Sequence, residues 1–317
     1  MKSLYSKVFA IITSLLMLAS AGAAAPAVND LLSAGHVNEA VTSLSTRDDA
    51  ESLNLLSRAY FAMECWDDAV KYGERAVSLA PNNAEFHLWL GREYGRKAGD
   101  SKAFTAAANA KKSKSEFERA VQLDPSNVAA RLDLAEYYTE APAIMGGGAD
   151  KARDQAAEVA KYDPGNSHLI LARVAVKQKQ YDQAESQFRS AIQQAKNPAD
   201  MWLQLADFYR QQGRLDQMQS AIQSAMALPH KQAESYFDAA NELYQGGRDY
   251  AQAVQYLQKY LASGELVESA PTFRAHYLIG QLNEKMGRNA VALAEYQASI
   301  KLASGFAPAK AALNRVQ

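Results

Sequence analysis

Three consecutive glycines, Gly146, Gly147 and Gly148, followed closely by Lys151, are the first place where this chain could do chemistry. A glycine-rich loop opening a helix can turn its backbone N–H groups toward an anion. A phosphate-binding loop continues with Gly-Lys and then Ser or Thr, whereas here the order is Gly148, Ala149, Asp150, Lys151, Ala152. Asp150 at the helix start would cap it and repel an anion. A widened turn between helices is the favoured reading, with a small-anion site as the alternative. His87, His168 and His276 stand apart from one another, and no HExxH or ligand-spaced His/Cys cluster exists, so no metal site is expected. There is no G-x-S-x-G motif, and the sole cysteine, Cys65, lacks a nucleophile signature. No catalytic residue and no cofactor are therefore expected. Asp67 and Asp68 read as turn caps, and KKSKSE reads as a solvated helix face.

The N-terminus has three parts in a fixed order. Lys2 and Lys7 give a basic start, Val8 to Leu18 is a short apolar run, and Ala21-Gly22-Ala23 offers small residues for cleavage. That order predicts a secretory signal peptide over 1–23 and a periplasmic or secreted mature chain. The run is shorter than the ~20 apolar residues a spanning helix needs, and no later run is longer, so no stable membrane insertion of the mature chain is expected. Two lysines and no acids leave with the leader, taking the formal net charge from -1 to -3. Neither value suggests a nucleic-acid partner. With one cysteine no intramolecular disulfide can form, and Cys65, beside Trp66, is expected to be buried.

The elements that would position these residues repeat with a period of about 34. One copy reads LSRAYFAMECWDDAVKYGERAVSLAPNN and another WLQLADFYRQQGRLDQMQSAIQSAMALP. Each has bulky, Leu, small and aromatic residues at i, i+3, i+4 and i+7, which is one helix face, then a turn, then a second helix carrying spaced Ala. The first copy shows Leu53, Leu56, Ser57 and Tyr60, then Ala69, Ala76 and Pro81; later ones show Leu90, Gly91 and Tyr94, or Leu205, Ala206 and Tyr209. A helix pair of this kind cannot bury its apolar face alone, so neighbours must stack.

On these residues the chain resembles the tetratricopeptide repeat family, and FHLWLGREYG with APAIMGGGADKA also resembles exported bacterial members without assigned activity. The resemblance implies an all-α, right-handed solenoid of antiparallel helix pairs. Seven repeats are expected over 50–304, with a helical pair at 24–49 before them and a capping helix at 305–317. Two copies break the period. One has an extended second helix near 101–122, and the next has a Gly-rich turn over 141–150.

In this family the first helices line a concave groove that binds protein or peptide. Carried over to this chain, the groove positions are Asn54 and Arg58, then Trp89, Arg92 and Arg96, then Asp133, Glu136 and Glu140. Further along they are Arg173, Gln204, Asp207, Phe237, Asp238 and Asn241. Trp89, Arg92 and Arg96 share one helix side, which suits an acidic peptide with an apolar anchor. The alternative is that these arginines pair with neighbouring acids of the chain itself. Leu88, Arg92 and Asp133 occupy positions where a chaperone-tail clamp needs Lys and Asn, so that peptide class is not expected. The reading of the whole is a non-catalytic interaction scaffold. A small-ligand or metal-binding protein and a self-associating structural protein are the alternatives.

Overall fold

The computed structural model describes residues 24–229 and 232–317, and the leader expected over 1–23 lies outside them. Among the described residues the chain forms seventeen α-helices, one short 3-10 helix and no strand. The helices are α1 (Ala24–Ser33), α2 (Val37–Leu44), α3 (Ala50–Ala62), α4 (Trp66–Leu79), α5 (Ala84–Gly99), α6 (Ala103–Leu123), α7 (Val128–Glu140) and α8 (Ala149–Val159). They continue with α9 (Pro164–Lys177), α10 (Tyr181–Gln194), α11 (Pro198–Gln211), α12 (Leu215–Ala227), α13 (Glu234–Gln245) and α14 (Tyr250–Ser263). The last three are α15 (Thr272–Lys285), α16 (Asn289–Leu302) and α17 (Ala307–Val316). They pack chiefly as adjacent pairs, α3 with α4, α5 with α6, and so on to α15 with α16, each pair stacked on the next.

The sequence starts the two helix types differently. Several first helices carry a side-chain cap: Asp49, Asn83, Asn127 and Asp163 accept from backbone N–H groups of the first turn. Those N–H groups have no intrahelical partner, so each cap replaces a missing bond. Second helices are instead entered through a tight turn. In it Cys65, Gln180, Arg214, Arg248 and Arg288 each donate a backbone bond five residues back, to Tyr60, Ala175, Tyr209, Leu243 and Asn283. That bond needs a left-handed residue just before it. Gly213 and Gly247 supply one freely, whereas Glu64 and Lys179 hold φ of 62° and 60° despite their side chains. The α5–α6 and α7–α8 connections lack this turn, and they belong to the two copies that break the sequence period.

Small residues let the paired helices approach. A Cβ on Gly91 would lie 2.5 Å from the Phe117 ring, and one on Gly280 would lie 2.4 Å from Tyr296. Ala69, Ala120, Ala184 and Ala191 are fully buried on the facing helices. Successive repeats are further tied by tyrosines reaching back to a glutamate on the preceding second helix. Tyr138 bonds Glu118 at 2.8 Å, Tyr209 bonds Glu185 at 2.9 Å, and Tyr94 bonds Glu74.

The two ends of the stack meet. Val28, Leu32, Val37, Ala40 and Leu44 from α1 and α2 share one buried cluster with Leu55, Ala59 and Met63 and with Phe273, Ala303, Phe306 and Ala309 from the other end. Asn38 on α2 donates to Lys301 O at 2.9 Å and accepts from Ser304 N at 2.8 Å. Gly35 is required at this seam twice over: its φ is +75°, and a Cβ would fall 2.5 Å from Thr272 N. Cys65, expected to be buried, is half-buried instead, because it sits at the seam with its thiol 3.7 Å from Gly305 O.

Candidate interaction groove

Helices α3, α5, α7, α9, α11 and α13 place the groove positions in one row, and the structure brings most of them into contact across neighbouring repeats. Arg58 makes two hydrogen bonds to Glu268, one of 3.0 Å from Nε, and also lies 3.5 Å from Glu85. Both members of the Arg58–Glu268 pair are largely shielded. Burial works against the Arg58 charge, but the bonded Glu268 carboxylate outweighs it and raises the pKa above the ordinary guanidinium value. Trp89 lies between two guanidiniums, 4.9 Å from Arg58 and 5.0 Å from Arg92, with the Phe61 ring edge-on at 5.7 Å. Arg92 donates to Asp133 at 2.6 Å. Arg173 bridges Glu136 at 3.2 Å and Gln204 at 3.0 Å, and Lys177 holds Glu140 at 2.6 Å. Arg210 joins Asp207 on its own helix to Glu242 on the next first helix, the latter at 2.8 Å.

The groove is therefore lined by ion pairs within and between repeats. Of the two readings of its arginines, Arg58, Arg92 and Arg173 follow the internal-pairing one. Arg96 differs: it is exposed and pairs with no carboxylate among the described residues. Its charge instead opposes that of Arg274, whose guanidinium donates to Ala62 O at 3.0 Å and pairs with Glu64 at 3.0 Å. Burial is the chief cause that lowers the Arg274 pKa.

Farther along, the lining turns acidic. Asp238 is pushed up to about 7 by burial and by the charges of Glu234, Asp200 and Glu242. Asp200 is raised by burial although Ser235 bonds it at 3.1 Å, and Glu242 is raised by burial although Arg210 bonds it. Phe237 serves the packing: it is half-buried with its ring edge-on to Tyr260 at 6.0 Å. Asn241 is half-buried on α13. Asn54 is not at the surface at all, being 1% exposed with no hydrogen-bond partner for its amide. Glu268 and Arg274 are the groove-side residues that the repeat pattern does not mark, since one lies in a loop and both act through the opposite end of the chain.

The glycine-rich turn uses its own donors. Gly146, Gly147 and Gly148 give their N–H groups to Ala143, Pro142 and Tyr138 carbonyls, and Lys151 Nζ donates to Gly146 O at 2.9 Å. Gly147 is obligatory, since a Cβ there would lie 1.8 Å from Ala141 O. The histidines pair within their own repeats, His87 with Glu116 at 2.5 Å, His168 with Gln187 at 2.7 Å and His276 with Glu295 at 2.7 Å. Among the described residues no group of three His, Cys, Asp or Glu is arranged to hold a metal ion. Nor is any described helix long and apolar enough to cross a membrane.

Helix pairs with small residues at their crossings and a row of first helices along one face define a tetratricopeptide solenoid. Models described as tetratricopeptide repeat match residues 50–83, 175–237 and 237–306, and the chain belongs to this family. Among solved structures it is similar to a thermophilic TPR protein of Thermus thermophilus, at 18% identity, covering 54% of this chain and 90% of that one with a TM-score of 0.46. It is also similar to a tetratricopeptide repeat protein of Parabacteroides merdae, at 15% identity, covering 84% and 98% with a TM-score of 0.43. No curated protein matches the chain.

Proposed function

We propose that this protein is a non-catalytic scaffold that holds an extended protein or peptide segment along its first-helix face, working in a bacterial cell envelope. The observation that carries the reading is the row of charged side chains on successive first helices, from Arg92–Asp133 through Arg173–Glu136 to Arg210–Glu242. Most of these groups are partly exposed, and partly exposed ion pairs contribute only ~0–1 kcal/mol each. A peptide with alternating polar groups can therefore substitute for them at little cost. The envelope location rests on the Lys2, Lys7, apolar run and Ala21-Gly22-Ala23 order.

Site-specific photo-crosslinking in intact cells tests the reading. A crosslinker at Glu136 or Asp207, in the groove, should give one discrete adduct that is missing when it stands at Gln193, exposed on α10. Equal adducts at all three positions, or none at the groove positions, would sink the assignment.

A further inference from the structure

The joint between the first two repeats encloses polar groups without partners. Glu93 on α5 is fully buried, and neither of its carboxyl oxygens has a hydrogen-bond partner among the described residues. Asn54 on α3 is buried almost as completely, and both ends of its amide are unpartnered too. Buried polar groups are nearly always bonded, and each one left unbonded weakens the contact that encloses it. Both residues bear on one contact. Asn54, Ser57 and Phe61 follow at i, i+3 and i+7 along one side of α3, and on that side the Phe61 ring meets Trp89 of α5. Ser57 stands near the Glu93 carboxyl, but its hydroxyl donates to Asn54 O at 2.8 Å. On α4, the missing side chain of Gly73 leaves the space that the carboxyl fills.

The charged groups around this joint do not offset Glu93. Glu74 is the acid facing it from α4, and Tyr94 of α5 and Lys112 of α6 both bond to Glu74. Glu116 of α6 is held by His87 at 2.5 Å. Arg58 of α3 is turned to Glu268 and Glu85, and Arg92, next to Glu93 on α5, is turned to Asp133. A neutral Glu93 fits the closed joint, whereas a charge there must draw water in between α3 and α5. Helix α3 also carries the seam, on another side. Leu55, Ala59 and Met63 lie about 100° or more around the helix from Asn54 and share a buried cluster with Phe273, Phe306 and Ala309 of the other end. Ala62 O accepts from Arg274 of α15 at 3.0 Å. Moving α3 off α5 therefore moves the surface on which the other end rests.

We propose that the α3–α5 joint is a proton-operated hinge for the seam: with Glu93 neutral the joint is closed and the two ends of the stack stay together, and loss of the Glu93 proton to solvent parts α3 from α5 and releases the ends. Burial raises this carboxyl from 4.5 to about 8, so release develops as pH rises between those values. Over that range each pH unit raises the ratio of open to closed ends by up to about tenfold. The hinge does not depend on what the groove binds. It also loosens the Phe61–Trp89 contact, so the N-terminal end of the groove changes with it.

Spin labels on the full chain test this by pulsed dipolar distance measurement in a Cys65→Ser background. One pair spans the seam, Ser43→Cys on α2, which packs on α3, and Lys310→Cys on α17. A second pair, Gln193→Cys on α10 and Gln223→Cys on α12, both exposed, reports whether the later repeats keep their fold. From about pH 5 to about pH 8.5 the long-distance fraction of the seam pair should grow about tenfold or more while the second pair keeps its distance. Glu93→Gln and Glu93→Met should each hold the seam pair at its short distance throughout. Asp200, Asp238 and Glu242 are also raised carboxyls and are unchanged in these variants. Growth that persists in both variants therefore overturns the proposal. So does a seam distance that never changes in the wild type, or one that changes only together with the second pair.

Discussion

Glu93 on α5 is a carboxyl placed where no charge should be, and replacing it with glutamine should stabilise the protein in a pH-dependent way. The residue is fully buried, and neither side-chain oxygen has a hydrogen-bond partner. It packs against Gly73, where a Cβ would lie 2.1 Å from Oε2, and the nearby Ser57 hydroxyl is spent on Asn54 O at 2.8 Å. Burial, aided by the charge of Glu74, pushes the carboxyl from 4.5 up to about 8. The folded state therefore keeps this proton over a range in which the unfolded chain releases it. Stability tied to Glu93 is fully present below the unfolded value of 4.5 and is lost as pH rises toward about 8. The slope is about 1.4 kcal/mol per pH unit, so at neutral pH the wild type carries a penalty of roughly 3 kcal/mol that Glu93→Gln lacks. Asp238, Asp200 and Glu242 also titrate upward but are unchanged in the variant, so they cancel in the difference. Urea unfolding of both proteins across this pH range is the assay. The curves should lie close together near pH 4.5 and separate steadily, with the variant more stable, up to about pH 8. Parallel curves, or a variant less stable at the alkaline end, would refute the argument that burial keeps this carboxyl neutral.

Other outcomes follow from single contacts. Lys179 holds a left-handed φ of 60° in the α9–α10 turn, so Lys179→Gly should raise stability by about 1 kcal/mol, read by urea midpoint. An unchanged midpoint would mean that the turn is unstrained. Arg58→Glu sets like charges against Glu268 at the seam and should cost on the order of 2 kcal/mol while increasing the radius of gyration in solution scattering. Adding Glu268→Arg should restore both, and failure of the double exchange would show that the pair does not hold the ends together. Lys151→Ala removes only an exposed bond to Gly146 O, so its effect should stay within about 0.5 kcal/mol, and a larger loss would mark the turn as more than structural. Intact mass of the exported protein should correspond to a chain starting near Ala24, whereas a retained Met1 would remove the export reading.

The helix pairs were legible in the sequence because their signals are local. Leu90, Gly91 and Tyr94 lie on one turn, and the glycine's reason, the Phe117 ring, comes from the partner helix of the same repeat. That the positions carried over fall on successive first helices was legible for the same reason. What those side chains do was only partly so. Arg92 finds Asp133 and Arg173 finds Glu136, each one repeat away on the same face, so an acid at a matching position of the adjacent copy was the available signal. Asn54 was misplaced because spacing alone does not separate the groove from the contact between successive first helices.

The seam carried no signal of that kind. Whether the ends of a solenoid meet depends on a small rotation per repeat summed over the whole stack. No residue pattern in one repeat reports that sum, and Arg58 and Glu268 are 210 residues apart. Yet the seam decides what the groove can offer at its N-terminal end. The Arg58 guanidinium that stacks on Trp89 is the one bonded to Glu268, and Trp89 in turn lies against Arg92. Arg58 thus links the seam between the ends to the electrostatics of the first two repeats. The charge that the family pattern offers to a partner at position 58 is already neutralised by the other end of the chain, and the exposed cation left on that face is Arg96.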